Sequence, residues 1–269
     1  MRVLMPMGGA LDELKKPEVL LEFVKRCGGK RARIVVFPQA SARRDTGKEY
    51  VEMFKAMGAK SVVSFEFRKR AEAGSKEQVD AIRNATGIFF SGGTQMRIFV
   101  AMSGSVLEKE LMRAYQRGCV IGGTSAGASI LSKTMIVNGK SGPTPHEQIV
   151  QFAPGLGFTD QFVFDQHFRQ RDRLGRLIYA VCTAPGVFGV GIDEDTAAIV
   201  ENESRVTVCG SGAVTIVDGQ GITDTDVAEV ENGGTVAVSN LTVHVLTRGC
   251  VFNTKLRKVT LPQKKLLVD

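Results

Sequence analysis

Residues 123–127 read Gly123-Thr124-Ser125-Ala126-Gly127, the spacing of a serine carried on a sharp turn. A short apolar run, Cys119-Val120-Ile121-Gly122, leads in and suits a buried strand. Small, helix-compatible residues from Ala126 to Leu131 lead out. A strand-to-helix elbow needs small neighbours, because the serine backbone is strained and its side chain must stand clear of the strand end. The first N–H groups of the new helix then point to where an oxyanion would form. Alone, G-x-S-x-G is also the spacing of an ordinary glycine-rich turn. The flanking strand and helix argue for a serine nucleophile.

Outward from the elbow, the first half of the chain alternates in period. Strands are expected over 2–7, 32–37, 61–67 and 87–90, and helices over 17–27, 48–57, 76–84 and 106–117. Short apolar strands alternating with helices imply an α/β fold: a mostly parallel central sheet with helices on both faces. Such sheets bind ligands at the carboxyl ends of their strands, where Ser125 and the Gly92-Gly93 turn both fall. Residues 138–157 carry three prolines and four glycines and read as a long loop. A helix is expected from about His167 to Tyr179. Strands follow over 187–192, 196–201, 205–209, 213–217, 235–238 and 241–246, a strand-rich C-terminal extension of one domain spanning 1–269.

Composition narrows the function. An apolar content of 43% with 23% charged residues is that of a folded globular chain. Five cysteines, widely spaced and without C-x-x-C, suggest neither a disulfide framework nor a zinc site, and point to the cytoplasm. No apolar run approaches the roughly 18 residues of a membrane span. The net charge of +7 raises the possibility of nucleic acid, yet the basic residues are scattered and there is no tryptophan. An anionic substrate fits a basic chain better.

A serine nucleophile needs a base, and the base needs an orienting group. Only His146, His167 and His244 are available. His146 lies in the Pro/Gly-rich stretch and His244 within an alternating strand. His167, in Phe164-Asp165-Gln166-His167-Phe168, falls where an apolar strand gives way to a helix, again at the carboxyl edge of the sheet. Asp193, Glu194 and Asp195 crowd together after another apolar strand and are the candidate acids. The order Ser, His, acid excludes an α/β-hydrolase, whose histidine comes last. After His167, an expected helix places Arg169, Arg173 and Arg176 on one face, with Arg171 offset. Planar guanidinium forks beside a basic histidine suit acidic substrate groups.

Four segments together resemble the cyanophycinase family of serine peptidases, related to aspartyl dipeptidase. They are Phe-Ser-Gly-Gly-Thr-Gln at 90–95, Gly-Thr-Ser-Ala-Gly-Ala at 123–128, Asp-Gln-His-Phe-x-x-Arg-x-Arg-x-x-Arg-Leu at 165–177 and Gly-Ile-Asp-Glu-Asp-Thr at 191–196. They occur in the family's order, and the likeness runs from about Gly8 to about Val217. The resemblance implies a class I glutamine-amidotransferase-like fold, with Ser125 as nucleophile, His167 as general base and Glu194 as orienting carboxylate. It further implies an oxyanion hole from the Gly93 and Ala126 N–H groups, and a substrate site lined by Gln95, Gln166, Arg171, Arg173 and Arg176. The implied substrate is cyanophycin, a poly-aspartate backbone with arginine on each side-chain carboxyl, cleaved to β-aspartyl-arginine. No metal or organic cofactor is implied, no nucleic-acid or membrane partner, and the implied assembly is a homodimer. Thr94 departs from the Asn or Asp of the family's Gly-Gly-x-Gln turn. An aspartyl or isoaspartyl dipeptidase of the same fold, or an inactive binding homologue, is the alternative reading.

Overall fold

The computed structural model describes residues 1–11 and 17–262. Its strands are β1 (Val3–Met7), β2 (Arg33–Phe37), β3 (Ser61–Ser64), β4 (Gly87–Phe90), β5 (Val120–Thr124), β6 (Thr134–Gly139), β7 (Val150–Pro154), β8 (Phe162–Gln166) and β9 (Phe188–Ile192). Then come β10 (Thr196–Glu201), β11 (Arg205–Gly210), β12 (Val214–Asp218), β13 (Asp224–Thr225), β14 (Val238–Ser239), β15 (Thr242–Leu246), β16 (Val251–Asn253) and β17 (Lys258–Thr260). The helices are α1 (Glu18–Arg26), α2 (Thr46–Ala56), α3 (Lys76–Asn84), α4 (Gln95–Met102), α5 (Val106–Gln116), α6 (Ala126–Ser129) and α7 (Leu174–Thr183).

Among the described residues the largest sheet has nine strands, in the order β17-β16-β11-β10-β1-β5-β4-β2-β3. The five from β1 to β3 pair in parallel, as the alternating first half predicts. The other half, β10, β11, β16 and β17, is antiparallel. The C-terminal strands are therefore not an appendage: four of them continue the central sheet, so parallel pairing does not dominate it. A second sheet, β15-β12-β9-β8, lies beside it, and Phe188 of β9 packs edge-on against Phe252 of β16 with centroids 5.5 Å apart.

Period-two alternation sends side chains to two cores. Met5, Met7, Val36 and Phe89 meet Leu20 and Phe23 of α1 and Tyr50 and Phe54 of α2 on one face. Leu4, Val35, Phe37, Phe90 and Ile121 meet α3, α4, α5 and the second sheet on the other. Phe23 sits at the centre of the first core, 5.6 Å from the ring of Phe54 and 5.5 Å from that of Phe89. Gly122 on β5 makes room for it, since a Cβ there would lie 2.6 Å from the Phe23 ring.

Three local expectations change. Residues 138–157 are not one loop: β6 and β7 form an antiparallel hairpin with a register shift between Ile136 and Asn138. Pro143 and Pro145 fall in its connection and Pro154 at its last paired residue, where a missing N–H is tolerated. The single helix expected from His167 is a 3-10 turn (Arg169–Arg171), a left-handed Asp172 with φ 46°, and then α7. Helix α4, short and apolar, has no counterpart in the sequence reading. The strand expected at 235–238 is reduced to Val238–Ser239, and that at 61–67 ends at Ser64.

Among the described residues no helix is long and apolar enough to cross a membrane. Phe23 is fully buried, so Phe23→Ala is expected to cost about 3–5 kcal/mol of stability in urea denaturation. A loss under about 1 kcal/mol would show that the α1–α2 layer repacks freely.

Candidate active site

Strand β5 ends at Thr124, and the chain enters α6 through Ser125 at φ 54° and ψ −115°. Only a surrounding that over-determines the backbone holds a non-glycine residue there. The Ser125 N–H donates to Met7 O at 3.0 Å, tying the elbow to the end of β1. A Cβ on Gly123 would lie 2.0 Å from Gly127 O, and one on Gly127 2.2 Å from Phe90 O. The motif's glycines thus allow strand and helix backbones to touch.

His167 leaves β8 with φ 47°, also left-handed, and its N–H donates to Gly8 O at 2.8 Å. That conformation brings Nε2 to 3.0 Å from Ser125 Oγ. Nδ1 lies 2.6 Å from Glu194 Oε1. Glu194 stands in the turn between β9 and β10, and its N–H donates to Gln170 Oε1 at 3.1 Å. Of the three acids at 193–195, Glu194 alone meets the imidazole. Buried Asp193 accepts the Arg169 and Ala213 amides, and Asp195 accepts the Ser211 hydroxyl. Burial holds His167 below its ordinary 6.5; the hydrogen bond it donates to Glu194 opposes the shift, and the charges of Arg171 and Arg173 reinforce it.

The other two histidines lie elsewhere. His244, on β15, packs on Phe252 at 5.2 Å, and His146 bridges to Thr235.

Ser125 lines a cavity of about 490 Å³ together with Gly93, Gln95, Gln166, Arg171, Arg173 and Arg176. The broken helix parts the arginines expected on one face: Arg173 and Arg176 are buried, whereas Arg169 stays exposed and pairs with Asp193. Asp165, at the end of β8 and fully buried, binds Arg176 through both carboxylate oxygens, Nε lying 2.6 Å from Oδ2. Arg173 Nη1 lies 3.2 Å from the same carboxylate. One carboxylate thus faces two buried guanidinium groups. Burial pushes Arg173 down to about 10, with Arg176 and Arg171 adding to the effect and Asp165 opposing it. Gln95 donates through Nε2 to Ile136 O and Val137 O, at 3.0 and 2.9 Å. These carbonyls lie at the register shift of β6, so Gln95 fastens the hairpin over the cavity. Thr94 donates its N–H to Ala40 O at 2.9 Å, and the tethering of Gln95 does not involve its side chain.

Three contributors to the site carry no role in the sequence reading. Asp165 stands inside the quoted histidine segment, but nothing in spacing marks it as the partner of arginines eight and eleven residues on. Gly9 presses on the imidazole, where a Cβ would lie 2.4 Å from the ring. Gln170 steadies Glu194 from across a turn.

In class the chain is a serine-type peptidase, a hydrolase. Residues 3–208 match peptidase family S51, and the chain belongs to that family. It is 37% identical over 259 residues to the cyanophycinase of Synechococcus elongatus, covering 96% of this chain and 80% of that one. It is 37% identical over 252 residues to the cyanophycinase of Geminocystis herdmanii, covering 93% and 92%. Among solved structures, a peptidase from an acI-B1 Actinobacterium superposes with a TM-score of 0.68 at 20% identity, covering 94% of this chain and 97% of that one. A putative peptidase E protein from Listeria monocytogenes gives 0.54 at 15% identity, covering 79% and 100%.

Asp165→Asn keeps the shape but leaves Arg173 and Arg176 facing a neutral amide in a buried setting. A loss of about 3–5 kcal/mol in chemical denaturation is expected. Unchanged stability would mean that solvent reaches the pair.

Proposed function

We propose that the chain cleaves the aspartate backbone of cyanophycin, with Ser125, His167 and Glu194 as a catalytic triad. The observation that carries this reading is the unbroken contact from Ser125 Oγ through His167 to Glu194, at 3.0 and 2.6 Å, on the wall of an arginine-lined cavity. Homology to named cyanophycinases over almost the whole chain supports the substrate.

With its proton on Nδ1 and shared with Glu194, His167 presents a bare Nε2 to the serine hydroxyl. Ser125 Oγ attacks the scissile carbonyl as Nε2 takes its proton, and the carbonyl electrons move onto oxygen. The Gly93 and Ala126 N–H groups receive that oxyanion; Ala126 opens α6, whose first amides the helix itself cannot satisfy. Gly93 has φ 137°, and a Cβ there would lie 2.1 Å from Ala40 O, so only glycine fits. The imidazolium then protonates the leaving amine as the C–N bond breaks, and water repeats the sequence on the acyl-enzyme. Gln95, Gln166, Arg171, Arg173 and Arg176 recognise the substrate, the arginines supplying positive charge for the carboxylate that each branched unit exposes. The five parallel strands and the elbow after β5 support a class I glutamine-amidotransferase-like domain. We further infer a cytoplasmic homodimer, on the family resemblance, acting without a metal or organic cofactor.

Mass spectrometry of products from purified protein and cyanophycin tests the substrate. Release of β-aspartyl-arginine is expected from the wild type and not from Ser125→Ala; Glu194→Gln should lower kcat by roughly 10³–10⁴-fold. An intact polymer beside cleaved aspartyl dipeptides would overturn the substrate assignment.

The acid limb of kcat/KM reports the base of the free enzyme. Because burial holds His167 below its ordinary 6.5, the acid limb is expected to fall below that value. A limb with an apparent pKa at or above 6.5 would show that burial does not hold the base below its ordinary value.

A further inference from the structure

Ser125 lines two cavities. Besides the arginine-lined one, a second of about 460 Å³ opens on the far side of the elbow, and His167 lines it too. Its outer wall is the segment from Ser41 to Tyr50, which carries Arg43 and Glu49 as an ion pair. The segment is fixed from several directions. Ser41 Oγ lies 2.7 Å from Thr46 Oγ1 and accepts the Arg43 N–H at 3.1 Å. Arg68 donates to Gln39 O and Ser41 O at 3.0 and 2.8 Å from behind. The volume suits a small ligand group, and the wall offers one cation beside one anion, unlike the uniformly cationic first cavity.

A peptidase must hold its chain on both sides of the scissile bond. We propose that this second cavity is a subsite for one zwitterionic arginine branch of the substrate, with Glu49 receiving its guanidinium and Arg43 its α-carboxylate. The inference rests on the cyanophycin reading above. A branch carrying both charges closes a four-charge ring with the Arg43–Glu49 pair, whereas a purely anionic or purely cationic group meets one favourable and one repelling partner. The two cavities then read different features of neighbouring units: the first a carboxylate, the second a carboxylate and a guanidinium together.

The test uses a two-unit peptide, (β-aspartyl-arginine)₂, and the two analogues with citrulline replacing arginine in one unit or the other. Citrulline keeps the shape and the carboxylate but removes the guanidinium charge. In the wild type, one of the two replacements should lower kcat/KM by about tenfold, the worth of one charge-assisted contact. Glu49→Gln should abolish that preference while leaving the response to the other replacement, and the melting temperature, unchanged. The exchange Arg43→Glu with Glu49→Arg rebuilds the ion pair with its ends reversed; the subsite predicts continued loss, whereas a merely structural pair would be rescued. Retention of the wild-type preference in Glu49→Gln, or rescue by the exchange, overturns the subsite while cleavage of the parent peptide stands. Failure of the wild type to cleave either the peptide or cyanophycin overturns the substrate reading itself, and the subsite with it.

Discussion

Three consecutive carbonyls at the end of β1 hold the site together. Met7 O accepts the Ser125 N–H, Gly8 O the His167 N–H and Gly9 O the Asp195 N–H, at 3.0, 2.8 and 2.9 Å. Each donor belongs to a different segment, and all three residues have positive φ. Such conformations cost on the order of 1–3 kcal/mol apiece when unsupported, so Ser125, His167 and the turn that carries Glu194 are each held by the same short stretch. Gly8 admits no side chain, since a Cβ would lie 1.8 Å from Asp193 O, and Gly9 leaves only enough space for the imidazole. Placing β1 between the parallel and antiparallel halves of the sheet makes this possible: β5 delivers Ser125 on one side, and β10 begins just after the acid turn on the other.

The same arrangement explains which parts of the site were readable from the chain. The elbow, His167 and the 193–195 turn follow apolar strands that end in small or polar residues, and strand ends are local signals. The parallel half of the sheet was readable for the same reason, since period and turn chemistry fix it within each βα unit. The antiparallel half was not. Residues 196–209 announce strands, but only burial of Ala197 and Ile199 in one core and Val206 and Phe252 in the other decides that they extend the large sheet.

The break at Asp172 was hidden by a different cause. The run from Arg169 to Leu177 has helical spacing, and nothing local demands a left-handed residue, although aspartate tolerates one. What wins is tertiary: the left-handed Asp172 parts the 3-10 turn that follows His167 from α7, at whose start Arg173 and Arg176 meet a carboxylate at the end of β8. Their pairing with Asp165 is a long-range decision in an apparently local stretch. The β6–β7 hairpin was obscured likewise, because its glycines and prolines outweigh the short apolar run of Met135, Ile136 and Val137 until Gln95 supplies donors to the displaced carbonyls.

Arginine also enters the proton chemistry. Asp165 cancels one of the two buried positive charges beside it, and Arg171 forms no ion pair among the described residues, so the first cavity keeps an excess of cation. That excess, added to burial, holds His167 below its ordinary 6.5. An anionic substrate group seated on the arginines would screen their charge, and by Coulomb's law the imidazole would then hold a proton more readily. On the proposed reading the base therefore gains basicity as its substrate arrives. On that reading the arginines that select an acidic unit and the histidine that activates the serine are coupled through the field they share.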